Sequence, residues 1–422
     1  MLNQKAYSTI DLNTRRSART GIKMDSEKKR LQACVTTAVF CILIFGFTAA
    51  TIFTPTVEFS ETENRVLAGM PEVIISEIFS GDYEADYEEY LTDHFVFRNG
   101  WISLKTSVER LLGKRESKDI YFAEDDYLIE KHTGAFTTQT AERNITMLAE
   151  FVKKYEAQFG EGHLSVLIVP NAVDILQDKL PPIAESGGGN AYLEQIAESL
   201  PDNVWFDSAS VLREHTAEEI YYRTDHHWKT LAAFYVYQAW AARQGYAIPE
   251  LTDYEMKTVT DCFEGTIQSK LGIDTEGDTI ELFLSVNETA YTVYHYSANN
   301  DSTSKMEEKR SMENSLYDYA ALETKDKYAV YFGGNEPFLQ IRTEIENGRK
   351  ILVIKDSYAN CFIPFMLGEF QEIDILDLRY TNRKLREMIA EGGYTDILIL
   401  YNASGFAEDI SISKLTSYSR EQ

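Results

Sequence analysis

KILVIKDSYANCFIPFMLGEFQEIDILDLRY (residues 350–380) and, a short way on, DILILYN (396–402) decide the fold. KILVI, EIDILDL and DILILYN are short apolar runs rich in branched residues, as expected of strands covered on both faces. YANCFIPFMLGEF (358–370) and NRKLREMIAEGG (382–393) between them read as helices, the second closed by glycine. Alternating β-α-β-α-β with short connections predicts a parallel, doubly wound α/β sheet whose site lies at the carboxyl ends of its strands. Working back along the chain, LSVLIVP (164–170) is another buried strand and VWFD (204–207) a further one. Helices are expected over 137–160, where Met147, Leu148, Phe151, Val152 and Tyr155 recur at helical spacing, over 190–200, and over TLAAFYVYQAWAARQG, closed by Gly245. DIYFAEDDYLIEK (119–131) suggests a hairpin. ELFLSV and AYTVYHY suggest an antiparallel insertion over about 258–325, and NNDSTSKMEEKRSMEN (299–314) a polar loop.

The N-terminal part stands outside this pattern. Residues 33–53, ACVTTAVFCILIFGFTAATIF, carry no charge and are long enough to cross a bilayer as one helix. The tail before them, residues 1–32, holds eight basic side chains against three acidic ones, predicting a cytoplasmic N-terminus and an extracytoplasmic main domain. A basic region of this length favours an uncleaved anchor over a cleaved signal peptide. Residues 54–118 read as a membrane-proximal stalk packing on the domain, and 119–415 as the domain itself. The whole chain carries −26, and with the basic tail removed the remainder is more acidic still. That balance excludes nucleic acid as a partner, because phosphate binding needs the opposite sign. Of four cysteines only Cys262 and Cys361 lie outside the N-terminal segment, and their spacing matches no zinc motif.

Two stretches carry chemistry. KILVI runs into Lys355-Asp356-Ser357-Tyr358, setting Ser357 where a strand ends and a helix is expected, with free N–H groups nearby to hold an oxyanion. The plain alternative is a helix cap. A serine hydroxyl needs an adjacent base, and TDHHW (224–228) offers one. In an extended segment positions i and i+2 share a face, so Asp225 and His227 would point together and His226 away. An aspartate orienting an imidazole is half of a serine triad, and Trp228 would wall the site from water. The competing reading is a metal held by Asp225, His226 and either His215 or His227, but no HExxH spacing or further ligand accompanies them, so no metal and no cofactor is expected.

TDHHW followed by a helix, and later a strand ending in DSY, resembles the DHHW-type proteins. These are similar to the alginate O-acetylation proteins, which have a DxHW motif and a GDS-type serine on an SGNH hydrolase-like fold. SETENRVLAGMP (60–71), TDHFVFR (92–98), AVYFGGN (329–335) and IKDSYANCFIPFM (354–366) resemble other blocks of the family. The resemblance implies Ser357 as nucleophile, His227 as base and Asp225 as its orienter, in a circularly permuted SGNH-like arrangement, since aspartate and histidine precede the serine. It implies an oxyanion hole with an asparagine and a glycine, for which Gly334 and Asn335 beside Tyr358 are the candidates and Asn402 the alternative. Arg379 and Tyr380, at the end of DILDLRY, are at the sheet edge to touch a substrate, with Trp228 and Asn402 as further contacts. The implied activity is O-acetylation of an exopolysaccharide or wall glycan, with the acyl group supplied by a multi-pass membrane O-acyltransferase. A carbohydrate esterase with the same triad, or a non-catalytic glycan-binding scaffold, are the alternatives. Two positions depart from the pattern: Lys355 replaces the glycine of GDS, and Asn171 stands where a VPPK lysine is expected.

Overall fold

The structure, a computed structural model, describes residues 3–60, 65–287, 289–296 and 308–416. Contacts divide the chain into two compact units, one reaching Trp101 and the other running from Ile102. In the first, α1 (Asn3–Phe53) contains one stretch, Lys28–Phe53, long and apolar enough to span a membrane. A short antiparallel pair, β1 (Phe59–Ser60) and β2 (Arg65–Val66), precedes α2 (Ile75–Ser80) and α3 (Asp82–Asp93). Two of the motif blocks meet in this unit. Ala68 N–H donates to Asp93 Oδ2 at 2.9 Å, and the Ala68 carbonyl meets His94 Nε2 at 2.9 Å. Helix α4 (Arg98–Leu111) begins here and continues past the boundary.

The second unit opens with β3 (Glu116–Ser117), β4 (Ile120–Phe122) and β5 (Leu128–Glu130), an antiparallel sheet where the hairpin is expected. Then come α5 (Gln139–Phe159), β6 (Leu164–Val169), α6 (Ala172–Ile175), α7 (Gly189–Ser199), α8 (Ser208–Arg213) and α9 (Thr230–Gln244). Strand β7 (Tyr254–Phe263), α10 (Thr266–Leu271) and β8 (Asp278–Ser285) follow. Next are β9 (Tyr291–Tyr296), β10 (Glu308–Glu313), β11 (Phe338–Thr343), β12 (Lys350–Lys355), β13 (Glu372–Leu376), α11 (Leu385–Gly392), β14 (Asp396–Asn402) and α12 (Ala403–Glu408). The main sheet runs β10-β9-β11-β13-β12-β14-β6. Its last four strands are mutually parallel, and β10, β9 and β11 extend it antiparallel.

The strands alternate their burial between two layers, which makes the sheet doubly wound. Val353, Leu398, Leu400, Leu167 and Ile375 face α9, with its Phe234, Tyr237 and Trp240. Leu352, Ile354, Ile397, Ile399 and Val166 face α5, α7 and α11. Each layer shields one face from water, and at roughly 25 cal/mol per Å2 of apolar surface this burial is the main source of stability.

The expected antiparallel insertion is present, and part of it joins the main sheet: β9 pairs with β11, which hydrogen-bonds antiparallel onto β13, while β7 and β8 form a separate antiparallel pair. Three expectations are corrected. Residues 358–370 are two 3-10 turns, Ser357–Cys361 and Ile363–Gly368, and not one helix. Pro364 explains the break, since it lacks an N–H and would clash with the carbonyl four residues back. The VWFD segment makes a single parallel bridge, Val166 to Trp205. Part of the expected polar loop over 299–314 is strand β10; its residues 299–307 lie outside the described ones.

The crossovers locate the site. After β12 the chain turns into the layer of α9, burying Tyr358, Cys361 and Phe362 there, whereas after β14 it enters the other layer through α12, burying Phe406 and Ala407. Adjacent parallel strands whose continuations diverge leave a crevice at their carboxyl ends. Ser357 opens the turn beside that crevice.

Candidate active site

TDHHW is the tip of a tight loop and not an extended strand. Tyr221 and Trp228 form an antiparallel bridge, and Tyr222 N–H donates to the His227 carbonyl at 3.2 Å. The fully buried carboxylate of Asp278 pins the loop, accepting from Arg223 N at 2.9 Å, Thr224 N at 2.7 Å and Thr224 Oγ1 at 2.6 Å. Within the tip, His227 N–H donates to Asp225 Oδ1 at 3.1 Å, an Asx turn that folds the imidazole back over the carboxylate. His227 Nδ1 then lies 2.5 Å from Asp225 Oδ1, and its Nε2 lies 2.7 Å from Ser357 Oγ. The structure thus brings Asp225, His227 and Ser357 into one hydrogen-bonded line, by a turn rather than by the alternation expected.

Asp225 is held from its other side by α10. Its Oδ2 accepts from Thr266 N at 2.8 Å and Thr266 Oγ1 at 3.0 Å. Gly265 permits this approach, for a Cβ there would sit 2.3 Å from Asp225 Cβ. Burial opposes the Asp225 charge, but the imidazoles of His226 and His227 and the Thr266 N–H hold the carboxyl well below the usual carboxylate range. The Thr266 hydroxyl gives its one proton to Asp225, so it accepts from His226 Nδ1 at 2.8 Å. Burial and the neighbouring His227 ring push His226 toward its neutral form. His226 is therefore not turned away: its ring lies 4.0 Å from that of His227.

The metal reading draws on the same atoms, since Asp225, His226 and His227 have ligand atoms within 4.8 Å of one another. These atoms are already engaged with Thr266, Ser357 and each other. His215 lies elsewhere, bonded to Glu218 at 2.8 Å and stacked on Tyr235.

The turn that Ser357 opens is braced by Asp356. Its Oδ1 accepts from Tyr358 N at 2.9 Å, and its Oδ2 from Asn402 N at 2.8 Å and Asn402 Nδ2 at 2.7 Å, tying β12 to β14 across the crevice. Burial pushes this carboxyl up to about 6, against the Arg379 guanidinium and those N–H donors. Asn171 joins the network, donating to Asn402 Oδ1 at 3.2 Å and accepting from Ser404 N at 3.0 Å.

Several assignments change. The Tyr358 N–H, expected in an oxyanion hole, is committed to Asp356, and the Gly334 N–H donates to the Tyr331 carbonyl at 3.1 Å. Gly333 and Gly334, at φ +75° and +108°, form the turn that presents Asn335 at the surface. Trp228 is no wall facing substrate: it is fully buried, donates Nε1–H to the Tyr358 carbonyl at 2.9 Å, and packs beneath the serine turn. Asn402 is buried too and serves Asp356. Arg379 and Tyr380 are exposed at the end of β13, Arg379 being held by a two-pronged pair with Asp377.

Sequence reasoning missed Tyr328, whose ring lies flat on His227 with centroids 3.8 Å apart and whose hydroxyl donates to the Ser357 carbonyl at 3.2 Å. It also missed Thr266 and Asp278. Of the free N–H groups expected at the serine turn, that of Ser357 donates to no acceptor among the described residues. No short motif signals a contact between such distant segments. Cys262 is exposed, Cys361 is buried beside the turn, and both are free thiols.

A model of the family described as "DHHW protein" matches residues 144–376, more than half of the chain. A DHHW family protein from Eubacterium siraeum superposes with a TM-score of 0.58 at 24% identity, covering 71% of this chain and 95% of its own. Bacillus cereus PatB1, solved with a sulfonyl adduct, gives 0.56 at 19% identity over 69% and 98%. The O-acetyltransferase domain of Pseudomonas putida AlgJ gives 0.40 at 12% identity over 70% and 98%. No curated protein matches the chain. At these identities the first two superpositions speak to the fold alone.

Proposed function

The chain belongs to the DHHW family, and from that premise we propose that it is a membrane-anchored, serine-dependent O-acyltransferase that acetylates a polysaccharide hydroxyl outside the cytoplasm. The observation that carries this reading is the unbroken line Asp225–His227–Ser357, with Nε2 at 2.7 Å from Oγ. A neutral His227 with its proton on Nδ1, donated to Asp225, leaves Nε2 free to accept the serine proton. Ser357 Oγ attacks the acyl carbonyl carbon of a donor as its proton passes to Nε2, and the carbonyl π pair moves onto oxygen. The Ser357 N–H and Asn335 Nδ2 are the donors for that oxyanion. Collapse re-forms the carbonyl and expels the leaving group, which takes the proton from Nε2. A sugar hydroxyl then gives its proton to Nε2 and attacks the acyl-serine; collapse breaks the C–Oγ bond, and Oγ recovers the proton.

The motif resemblance to the alginate O-acetylation proteins supports an acetyl group and a polysaccharide acceptor. Helix α1 and its basic tail support a single-pass anchor with the N-terminus inside. A donor arriving from a multi-pass membrane O-acyltransferase fits an anchored acceptor enzyme. Arg379 and Tyr380, exposed beside the crevice, supply a cation and an aromatic face for a sugar.

The test uses the full chain in detergent. It should release nitrophenol from nitrophenyl acetate, and Ser357→Ala should not; equal release by both proteins removes the enzyme readings and leaves a glycan-binding module. With an oligosaccharide added, sugar carrying an acetyl mass identifies the transferase, and acetate alone the esterase.

A further inference from the structure

Lys355 ends β12 only 1% exposed, two residues before Ser357. Burial pushes its ammonium down to about 8, with Arg379 adding to that shift and the carboxylates of Asp377, Asp356 and Glu336 opposing it. At neutral pH the group stays mostly charged, and a buried charge needs partners. Its Nζ donates to Asn360 Oδ1 at 2.7 Å and to Asn335 Oδ1 at 2.9 Å, and Asn360 Nδ2 lies 3.4 Å from the same Asn335 oxygen. Asn360 belongs to the turn that Ser357 opens.

An ammonium has donors and no acceptor, so both amides must turn their oxygens toward it. The two ends of an amide are nearly equal in size, and its orientation follows the surrounding hydrogen bonds. Here the charge settles the choice for Asn335. Its oxygen is engaged by two donors, and its Nδ2 points away from the ammonium and donates to no acceptor among the described residues. We propose that Lys355 is a positioning residue, locking the Asn335 amide so that its N–H groups, and not its oxygen, are offered to the oxyanion formed at Ser357. This inference rests on the acyl-transfer reading above. Without the ammonium the amide can invert, and an inverted amide sets a carbonyl oxygen against developing negative charge.

The test uses the full chain in detergent, with nitrophenyl acetate turnover and with sulfonylation of Ser357 by phenylmethylsulfonyl fluoride followed by intact mass. Asn335→Asp keeps an acceptor for Lys355 and lacks the NH2 group; its kcat should fall about 100-fold with KM little changed, as for loss of one oxyanion donor. Lys355→Met should lower kcat in the same way at similar KM. Because the lysine acts only through the amide, Lys355→Met combined with Asn335→Ala should be no slower than Asn335→Ala alone. Losses that multiply in the double variant, or an Asn335→Asp protein with wild-type kcat, overturn the inference. If Lys355→Met does not fold, judged by its melting transition, Lys355→Gln takes its place in the same pair. A wild-type chain that neither turns over the ester nor takes up the sulfonyl group sinks the acyl-transfer reading itself, and this inference with it.

Discussion

Replacing Asp225 by Asn alters the candidate site by one atom, and the geometry dictates where that atom goes. In the native site Oδ2 accepts from the Thr266 backbone N–H at 2.8 Å, while Oδ1 accepts from His227 Nδ1. An asparagine NH2 meets a backbone N–H on either side, that of Thr266 at 2.8 Å or that of His227 at 3.1 Å. The shorter bond, backed by the Thr266 hydroxyl at 3.0 Å, keeps the amide oxygen on Thr266, so the NH2 group faces His227, giving up the 3.1 Å bond and forcing Nδ1 to accept. The imidazole proton moves to Nε2, which donates to Ser357 Oγ and can no longer take its proton. By analogy with the wrong-tautomer state of a serine triad, kcat should fall about 10,000-fold, or about 5.5 kcal/mol of transition-state stabilisation. The assay is steady-state turnover of nitrophenyl acetate by full chain in detergent, with the melting transition recorded in parallel. A variant that melts near the wild-type temperature and keeps more than a tenth of its kcat would refute the tautomer reasoning and the role proposed for Asp225.

The two histidines should separate. His227→Ala is expected to lose at least about 1,000-fold in kcat as the base disappears, whereas His226→Ala, which removes a bond to Thr266, a ring contact and one of the groups that hold the Asp225 carboxyl down, should stay within about tenfold. The reverse order in turnover would assign the base to the wrong ring. Gly265→Ala drives a Cβ to 2.3 Å from that of Asp225, so it should destabilise by about 1–3 kcal/mol and lose activity; unchanged denaturant midpoint and turnover would contradict the close approach. The depressed Asp225 carboxyl binds fewer protons in the folded state than in the unfolded one. Its contribution to stability is therefore full above the ordinary carboxylate pKa and is lost as pH falls through that value toward the folded one. Urea unfolding from pH 7 to pH 3 should show the advantage of wild type over Asp225→Asn shrinking with acid, and a widening gap would reverse the sign.

Much of the sheet is legible because strands covered on both faces must be apolar throughout. LSVLIV, KILVI and DILILYN can serve little other purpose. Strand β11, FLQIRT, escapes that signal, since Gln340 and Arg342 interrupt it; Gln340 is buried, its NH2 donating to Asp374 on the neighbouring strand at 2.9 Å. Pairing across strands decided that assignment, and pairing is not written locally. The residues of the candidate site were nameable from their chemistry, but their allegiances were not. Side-chain identity does not reveal that Asp356 claims the Tyr358 N–H, or that a polar partner, Tyr358 O, draws Trp228 inward. The extended reading of TDHHW failed for a related reason, because Asp278 pins the loop from far along the chain.

The His227–Ser357 hydrogen bond joins positions 130 residues apart, and β7, β8, β9 and β11 lie in the chain between them. A contact of that span is reached only after a large loop has closed, a step set by chain topology more than by local preference. The proposed reactivity of Ser357 therefore doubles as a clock for the last stage of folding. During refolding, α5 and α9, built from local contacts, should gain amide protection first, and reactivity at Ser357 should return only when the two distant segments have met.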